Sequence, residues 1–140
     1  MAILALPSRC MDDGPIYSVT EARALVPQIR GTLLQLAIER HRAEAAHVAL
    51  HHSLDGIDDS SDDRARDRFE AATAEHRSLA DALLGHLHSL GVVVRDLDDG
   101  LVDIPTVRDG EPAWLCWRLD DPEVAFWHTT REGYASRRPL

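Results

Sequence analysis

Cys116 and His128 flank Asp120-Asp121-Pro122-Glu123, a turn signal between two runs of apolar alternation. If that turn forms, the two side chains lie on neighbouring antiparallel strands and point to one face. A thiolate beside an imidazole could serve as nucleophile and base, and with Asp103 the pair could ligate a metal. A lone strand cysteine is more often an inert packed hydrophobe, which weighs against that chemistry. Asp96, Arg108, Arg118 and Arg137 crowd the same stretch, interleaved with Trp114, Trp117 and Trp127. A structural network is therefore the first reading, with Arg118 and Arg137 paired to Asp96 or Asp103 and His128 satisfying a buried carbonyl. The second is a pocket for a small anionic or planar ligand, with arginine forks and a tryptophan stacking surface. The third is thiol or metal chemistry at Cys116 and His128.

Other patterns carry less. His47 and His51 stand at i and i+4 on one helical face, a bidentate spacing for zinc or another divalent ion. Glu44-x-x-His47 copies half of the di-iron carboxylate pattern, but no second Glu-x-x-His exists on another helix. Solvated or hydrogen-bonded surface histidines are the favoured reading of His41, His47, His51, His52 and His76. Asp96-x-Asp98-Asp99-Gly100 mimics a calcium loop, yet its glycine comes one position early and no glutamate closes it, so it reads as a turn. No phosphate-binding glycine loop, nucleophile elbow, CxxC pair or HExxH occurs.

The elements that must position these residues fall into two halves. Ser18-Val19-Thr20-Glu21 matches the capping box. An apolar seam then runs Ala22, Val26, Ile29, Leu33, Leu36, Arg40, Ala43, His47, Leu50, Leu54, with Pro27 inside it removing one backbone bond and kinking the helix. A short acidic link over 54–61 offers Ser60 or Ser61 as a cap. The second seam is Phe69, Ala72, His76, Leu79, Leu83, His86, Leu90, closed by Gly91. With so short a link the helices fold back antiparallel. Folding about residue 58 or 59 sets Arg40 and His41 near Arg77 and His76, and His47 near Glu70. The hairpin leaves an apolar stripe on each helix for the C-terminal half or a second subunit to cover.

After Gly91 the period changes to that of strands. Val92–Val94, Leu101–Ile104, Ala113–Leu119 and Val124–His128 read as four strands, with Pro105 an interruption and Asp109-Gly110 a hairpin turn. Alternation puts Trp114, Cys116 and Arg118 on one face and Leu115, Trp117 and Leu119 on the other. Val124, Phe126 and His128 likewise oppose Ala125 and Trp127. The fold class is α+β: a long antiparallel helical hairpin followed by a small antiparallel β-meander. Residues 1–15 read as a loose N-terminal arm, with Met11 an alternative start, and 16–140 as one domain: hairpin over 16–90, sheet and tail over 91–140.

The 140 residues suffice for one core, and 44% hydrophobic with 28% charged residues excludes wholesale disorder. A net charge of -9 argues against nucleic acid or an anionic membrane as partner. No stretch is long and apolar enough to span a bilayer or form a secretory leader, so a cytoplasmic location is expected. Every basic residue among the 15 is arginine. Most sit where lysine would serve, and a GC-rich genome accounts for them. Arg40, Arg108, Arg118 and Arg137 occupy positions where a planar fork differs from an ammonium.

Gly91-Val-Val-Val-Arg-Asp-Leu-Asp-Asp-Gly-Leu-Val-Asp-Ile-Pro105, Arg108-Asp-Gly110, Leu115-Cys-Trp-Arg118, Phe126-Trp-His128 and Glu132-Gly-Tyr-Ala-Ser-Arg137 with Pro139 resemble the bacterial domain of unknown function 2203 family. Tyr17-Ser-Val-Thr-Glu-Ala-Arg-Ala-Leu-Val-Pro27 resembles the start of the same family. The resemblance covers residues 16–140, with Tyr134 standing where the pattern carries phenylalanine. It implies no activity, and the helical histidines lie outside its pattern. The expectation is a non-enzymatic binding or interaction module using the sheet residues, a homodimer packed through its hairpins, with a small ligand or protein as partner. The alternative is a small metal- or thiol-dependent enzyme centred on Cys116 and His128. The cofactor is unassigned, a divalent metal being the one candidate.

Overall fold

The structure, a computed structural model, describes residues 9–11, 14–55 and 62–140, with side chains at 14–52 and 63–140. The elements in order are β1 (Arg9–Met11), β2 (Gly14–Ile16), α1 (Val19–Asp55), α2 (Asp62–Ser89), β3 (Val93–Asp96), β4 (Leu101–Arg108), β5 (Glu111–Trp117), β6 (Phe126–Thr129), a 3₁₀ turn (Tyr134–Ser136) and β7 (Arg138–Pro139). β1 and β2 form an antiparallel pair, and β3-β4-β5-β6-β7 form an antiparallel meander in chain order. The α+β class follows directly. The proposed caps Ser60 and Ser61 lie outside the described residues. Two compact units divide the chain: residues up to Leu33 with His86–Leu140, and Leu34–Gly85.

The first unit holds the sheet. Ser18 Oγ accepts the Glu21 N–H at 3.1 Å, which starts α1 as its capping sequence predicts. α1 continues through Pro27. α2 ends in a Schellman motif: the Val92 N–H reaches the Leu87 carbonyl at 3.1 Å and the Gly91 N–H reaches that of His88 at 2.9 Å. Gly91 adopts φ 76°, which a residue with a Cβ takes at a cost. Leu87 and Val92, both buried, supply the hydrophobic contact of that motif. Asp109 and Gly110 have φ of 53° and 81°, the signature of a type I′ turn, and join β4 to β5 with Arg108 opposite Glu111.

Pro105 does not interrupt β4. Its carbonyl accepts the Tyr17 N–H at 2.9 Å on the side away from β5, so the missing N–H falls where no ladder bond is needed. β3 pairs only as far as Asp103, which leaves that edge of β4 open to Tyr17. Thr106 Oγ1 donates to the Tyr17 carbonyl at 2.7 Å, and the Tyr17 hydroxyl to the Leu90 carbonyl at 2.7 Å. The predicted last strand begins two residues late, because Val124 turns into the core instead of continuing the alternation. β7 pairs Pro139 with Phe126 and Arg138 with Trp127, a strand too short to show in the sequence pattern.

One sheet face carries Val102, Ile104, Leu115 and Trp117, all buried against Ala22, Leu25, Val26, Ile29 and Leu33 of α1 and Leu87 of α2. Burial of that area is the main source of stability in this unit. The opposite face is the polar one.

In the second unit the helical seam is offset from the predicted one. Glu39, not Arg40, is buried beside Leu36 and Ala43, while Arg40 is exposed. On α2 the buried positions are Thr73 and Ala80, and Leu79 is 44% exposed. Glu39 Oε2 sits 2.6 Å from His76 Nδ1, and Oε1 accepts from Gln35 and Arg42. The His76 contact holds the Glu39 carboxyl below the usual range. Leu34, Ile38 and Val48 of α1 are exposed.

Candidate functional site

The register of three adjacent strands builds the site. Asp103 on β4 lies opposite Cys116 on β5, and His128 on β6 lies opposite Trp114, the next β5 residue on the same face. Asp103, Cys116 and His128 are each no more than 2% exposed. A carboxylate oxygen, the thiol sulfur and a ring nitrogen lie within 4.8 Å of one another, the one such group of three ligand-type side chains among the described residues.

Each side chain is oriented by a second contact. Asp103 Oδ2 accepts from Arg95 Nε at 2.8 Å, and Oδ1 faces His128 Nε2 at 3.0 Å. His128 Nδ1 donates to the Thr129 carbonyl at 2.8 Å. Against a carbonyl and an ionised carboxylate, both acceptors, the two ring nitrogens are both placed to donate. Cys116 is a free thiol whose pKa is pushed up to about 11, first by burial and next by the Asp103 carboxylate, with Arg137 pulling the other way. At pH 7 such a group is ionised in about one molecule in ten thousand, so it is a poor nucleophile. In a C10S background, alkylation of native Cys116 should be over ~100-fold slower at pH 7 than in denaturant, rising with pH towards about 11. Equal rates in native and unfolded protein at pH 7 would exclude this account.

A cavity of about 400 Å³ opens beside the group, with Asp103 among its lining residues. Arg95, Leu101 and the Thr130–Tyr134 segment that follows His128 form the rest. Strand alternation finds Asp103, Cys116 and His128. It does not single out Arg95, Arg131, Glu132 or Tyr134 as site residues, although all but Arg131 fall within the family-like motifs.

The other expected site residues are placed elsewhere. Asp96 Oδ1 accepts the N–H groups of Asp98 and Asp99 at 2.9 and 3.0 Å, holding the β3–β4 turn. Arg137 pairs with Asp121, not with Asp96 or Asp103, at 3.1 Å, and stacks between Phe126 and Tyr134. Arg118 lies over Tyr134, and Arg108 over Trp127 at 4.5 Å. Trp114 is half-buried under Arg95. Trp117 faces the core on the opposite side of the sheet, fully buried, with Nε1 donating to the Asp121 carbonyl at 3.2 Å. His47 and His51 on α1 bring their Nε2 atoms to 3.1 Å, edge to face, with no third ligand-type group beside them among the described residues.

Among the described residues, no helix is long and apolar enough to cross a membrane. No curated protein and no solved structure is matched by the chain. One family model matches residues 15–140, nearly the whole chain, and takes in both the capping sequence of α1 and the Asp103, Cys116 and His128 strands. The chain belongs to that family, the uncharacterized conserved protein DUF2203.

Proposed function

We propose that the protein is a metal-binding module whose sheet holds a divalent ion of the zinc type through Asp103, Cys116 and His128. The observation that carries the reading is the convergence of three buried ligand-type groups, from three strands, within 4.8 Å. Thiolate, imidazole and carboxylate together suit zinc and its borderline neighbours better than magnesium or calcium. The orienting contacts are those expected of metal ligands: a carbonyl on the distal nitrogen of the imidazole and a guanidinium on the second oxygen of the carboxylate. Three protein ligands leave a further position for an exogenous group. The ion would also drive the proton from Cys116, whose thiol is otherwise held neutral. A cytoplasmic setting, which keeps thiols reduced, suits the same reading.

The test uses a variant carrying His47→Ala and His51→Ala, so that the helical pair supplies no ligand. After loading with zinc and dialysis, elemental analysis should give one ion per chain. Cobalt should give a thiolate-to-cobalt charge-transfer band that Cys116→Ser abolishes while the circular dichroism stays unchanged. Absence of stoichiometric metal, or a cobalt spectrum that Cys116→Ser leaves intact, would overturn the proposal.

A further inference from the structure

The cavity beside Asp103 offers a second kind of binding, and its charged groups indicate which. Four of its lining residues are charged: Arg95, Asp103, Arg131 and Glu132. Both acids already have donors. Asp103 takes Arg95 on one oxygen and His128 on the other. Glu132 Oε2 accepts the Thr129 N–H at 3.3 Å and the Thr129 hydroxyl at 3.1 Å, while Oε1 is paired with Arg138 at 2.9 Å. Those Thr129 hydrogen bonds hold the Glu132 carboxyl below the usual range, so it stays ionised and satisfied.

The two bases are not spent in this way. Arg95 uses Nε on Asp103 and lays its guanidinium over Trp114, and its terminal nitrogens make no hydrogen bond among the described residues. Arg131, which lines the cavity, has neither an ion pair nor a hydrogen bond among the described residues. A guanidinium carries five N–H donors in a planar fork that matches a carboxylate. Among the charged groups of this cavity, the unspent donors therefore belong to the two cations, and both carboxylates are engaged. A further metal ion is disfavoured there, and an anion is favoured. Leu101 and the Tyr134 ring, which lines the cavity and stacks with Arg137, give one wall an apolar character. About 400 Å³ is enough for a small organic molecule and more than a bare inorganic anion fills.

We infer that this cavity binds a small organic carboxylate, its charge held by Arg95 and Arg131 and its body against Leu101 and Tyr134. The inference goes beyond the metal reading and does not need it, because the accounting of donors and acceptors holds with or without an ion at Asp103.

The probes are acetate, succinate and benzoate, with benzamide as the uncharged counterpart of benzoate and inorganic phosphate as the inorganic alternative. Each is titrated by amide-resolved nuclear magnetic resonance into wild-type protein, both metal-free and zinc-treated. At least one carboxylate should saturate shifts of residues 130–134 with a Kd of about 1 mM or tighter. Arg131→Gln, at an exposed position that leaves the fold intact, should weaken that binding about tenfold. Benzamide should not saturate. Phosphate binding tighter than every carboxylate would overturn the assignment, as would no saturation by any of the three or an unchanged Kd in Arg131→Gln. If zinc fails to bind while a carboxylate saturates the metal-free protein, the metal reading falls and this one stands. If zinc binds while no carboxylate saturates, this one falls and the metal reading stands.

Discussion

Substituting Trp117 by alanine is expected to destabilise the protein by about 3–5 kcal/mol, a large share of the roughly 5–15 kcal/mol typical of a domain. Trp117 is fully buried in the cluster that joins the sheet to α1 and α2. Its truncation removes a large apolar area and leaves a cavity in a close-packed core cluster. Two further contacts go with the ring: the Nε1–H bond to the Asp121 carbonyl and the Arg30 guanidinium 5.2 Å from the ring centroid. Trp117→Phe keeps most of the area but leaves that carbonyl without its donor, and a smaller loss of about 1–2 kcal/mol should result. Equilibrium denaturation in guanidinium chloride measures both. A loss under about 1 kcal/mol for the alanine variant would mean that the sheet is not anchored through this residue.

The same residue shows how far strand alternation reaches. Once the Asp109-Gly110 turn is recognised, the period of two separates Trp117 from Cys116 without ambiguity, and pairing puts Asp103 and His128 on the side of Cys116. The helices are less legible, for a geometric reason. From Leu36 to Ala43 a step of three then four lands on Glu39, and a step of four then three lands on Arg40. Both obey helical periodicity, and neither residue is apolar, so hydropathy does not choose between them. The structure buries Glu39 because His76, Gln35 and Arg42 converge on its carboxylate. The α2 seam is offset in the same way: Leu79 is the more hydrophobic residue, yet the smaller Ala80 occupies the buried position.

What periodicity cannot supply is the wall of the cavity. Arg95 lies where β3 shifts register against β4, between Val94 and Asp96, so alternation no longer says where its side chain goes. Arg131, Glu132 and Tyr134 follow β6 in a segment with no period at all. Their role depends on which hydrogen bonds are already made, and that is a property of three-dimensional pairing. Arg137 makes the same point from the other side. Its expected partner is Asp96 or Asp103, and it is found on Asp121, because the 3₁₀ turn and β7 bring it back beside β6.

Asp103→Ala should cost about 3 kcal/mol in the metal-free protein, whereas Asp103→Asn should cost about 1 kcal/mol. The difference follows from the partners on the two oxygens. Alanine leaves the Arg95 Nε–H and the His128 Nε2–H facing a void in a site that is no more than 3% exposed at Asp103 and His128. Asparagine nearly reproduces the shape. Its carbonyl oxygen can accept from Arg95, and its amide can donate to His128 Nε2. The two substitutions should nevertheless be alike towards zinc, since both remove the anionic ligand. With His47→Ala and His51→Ala as the common background, protein at a free zinc concentration about 100 times its Kd should gain roughly 2.7 kcal/mol, and both Asp103 variants should lose most of that gain. Denaturation with and without zinc therefore separates two roles of one residue. A purely structural Asp103 would leave any zinc-dependent gain as large in the alanine and asparagine variants as in the protein that keeps the carboxylate. A metal ligand gives the gain, and gives it only where the carboxylate is present.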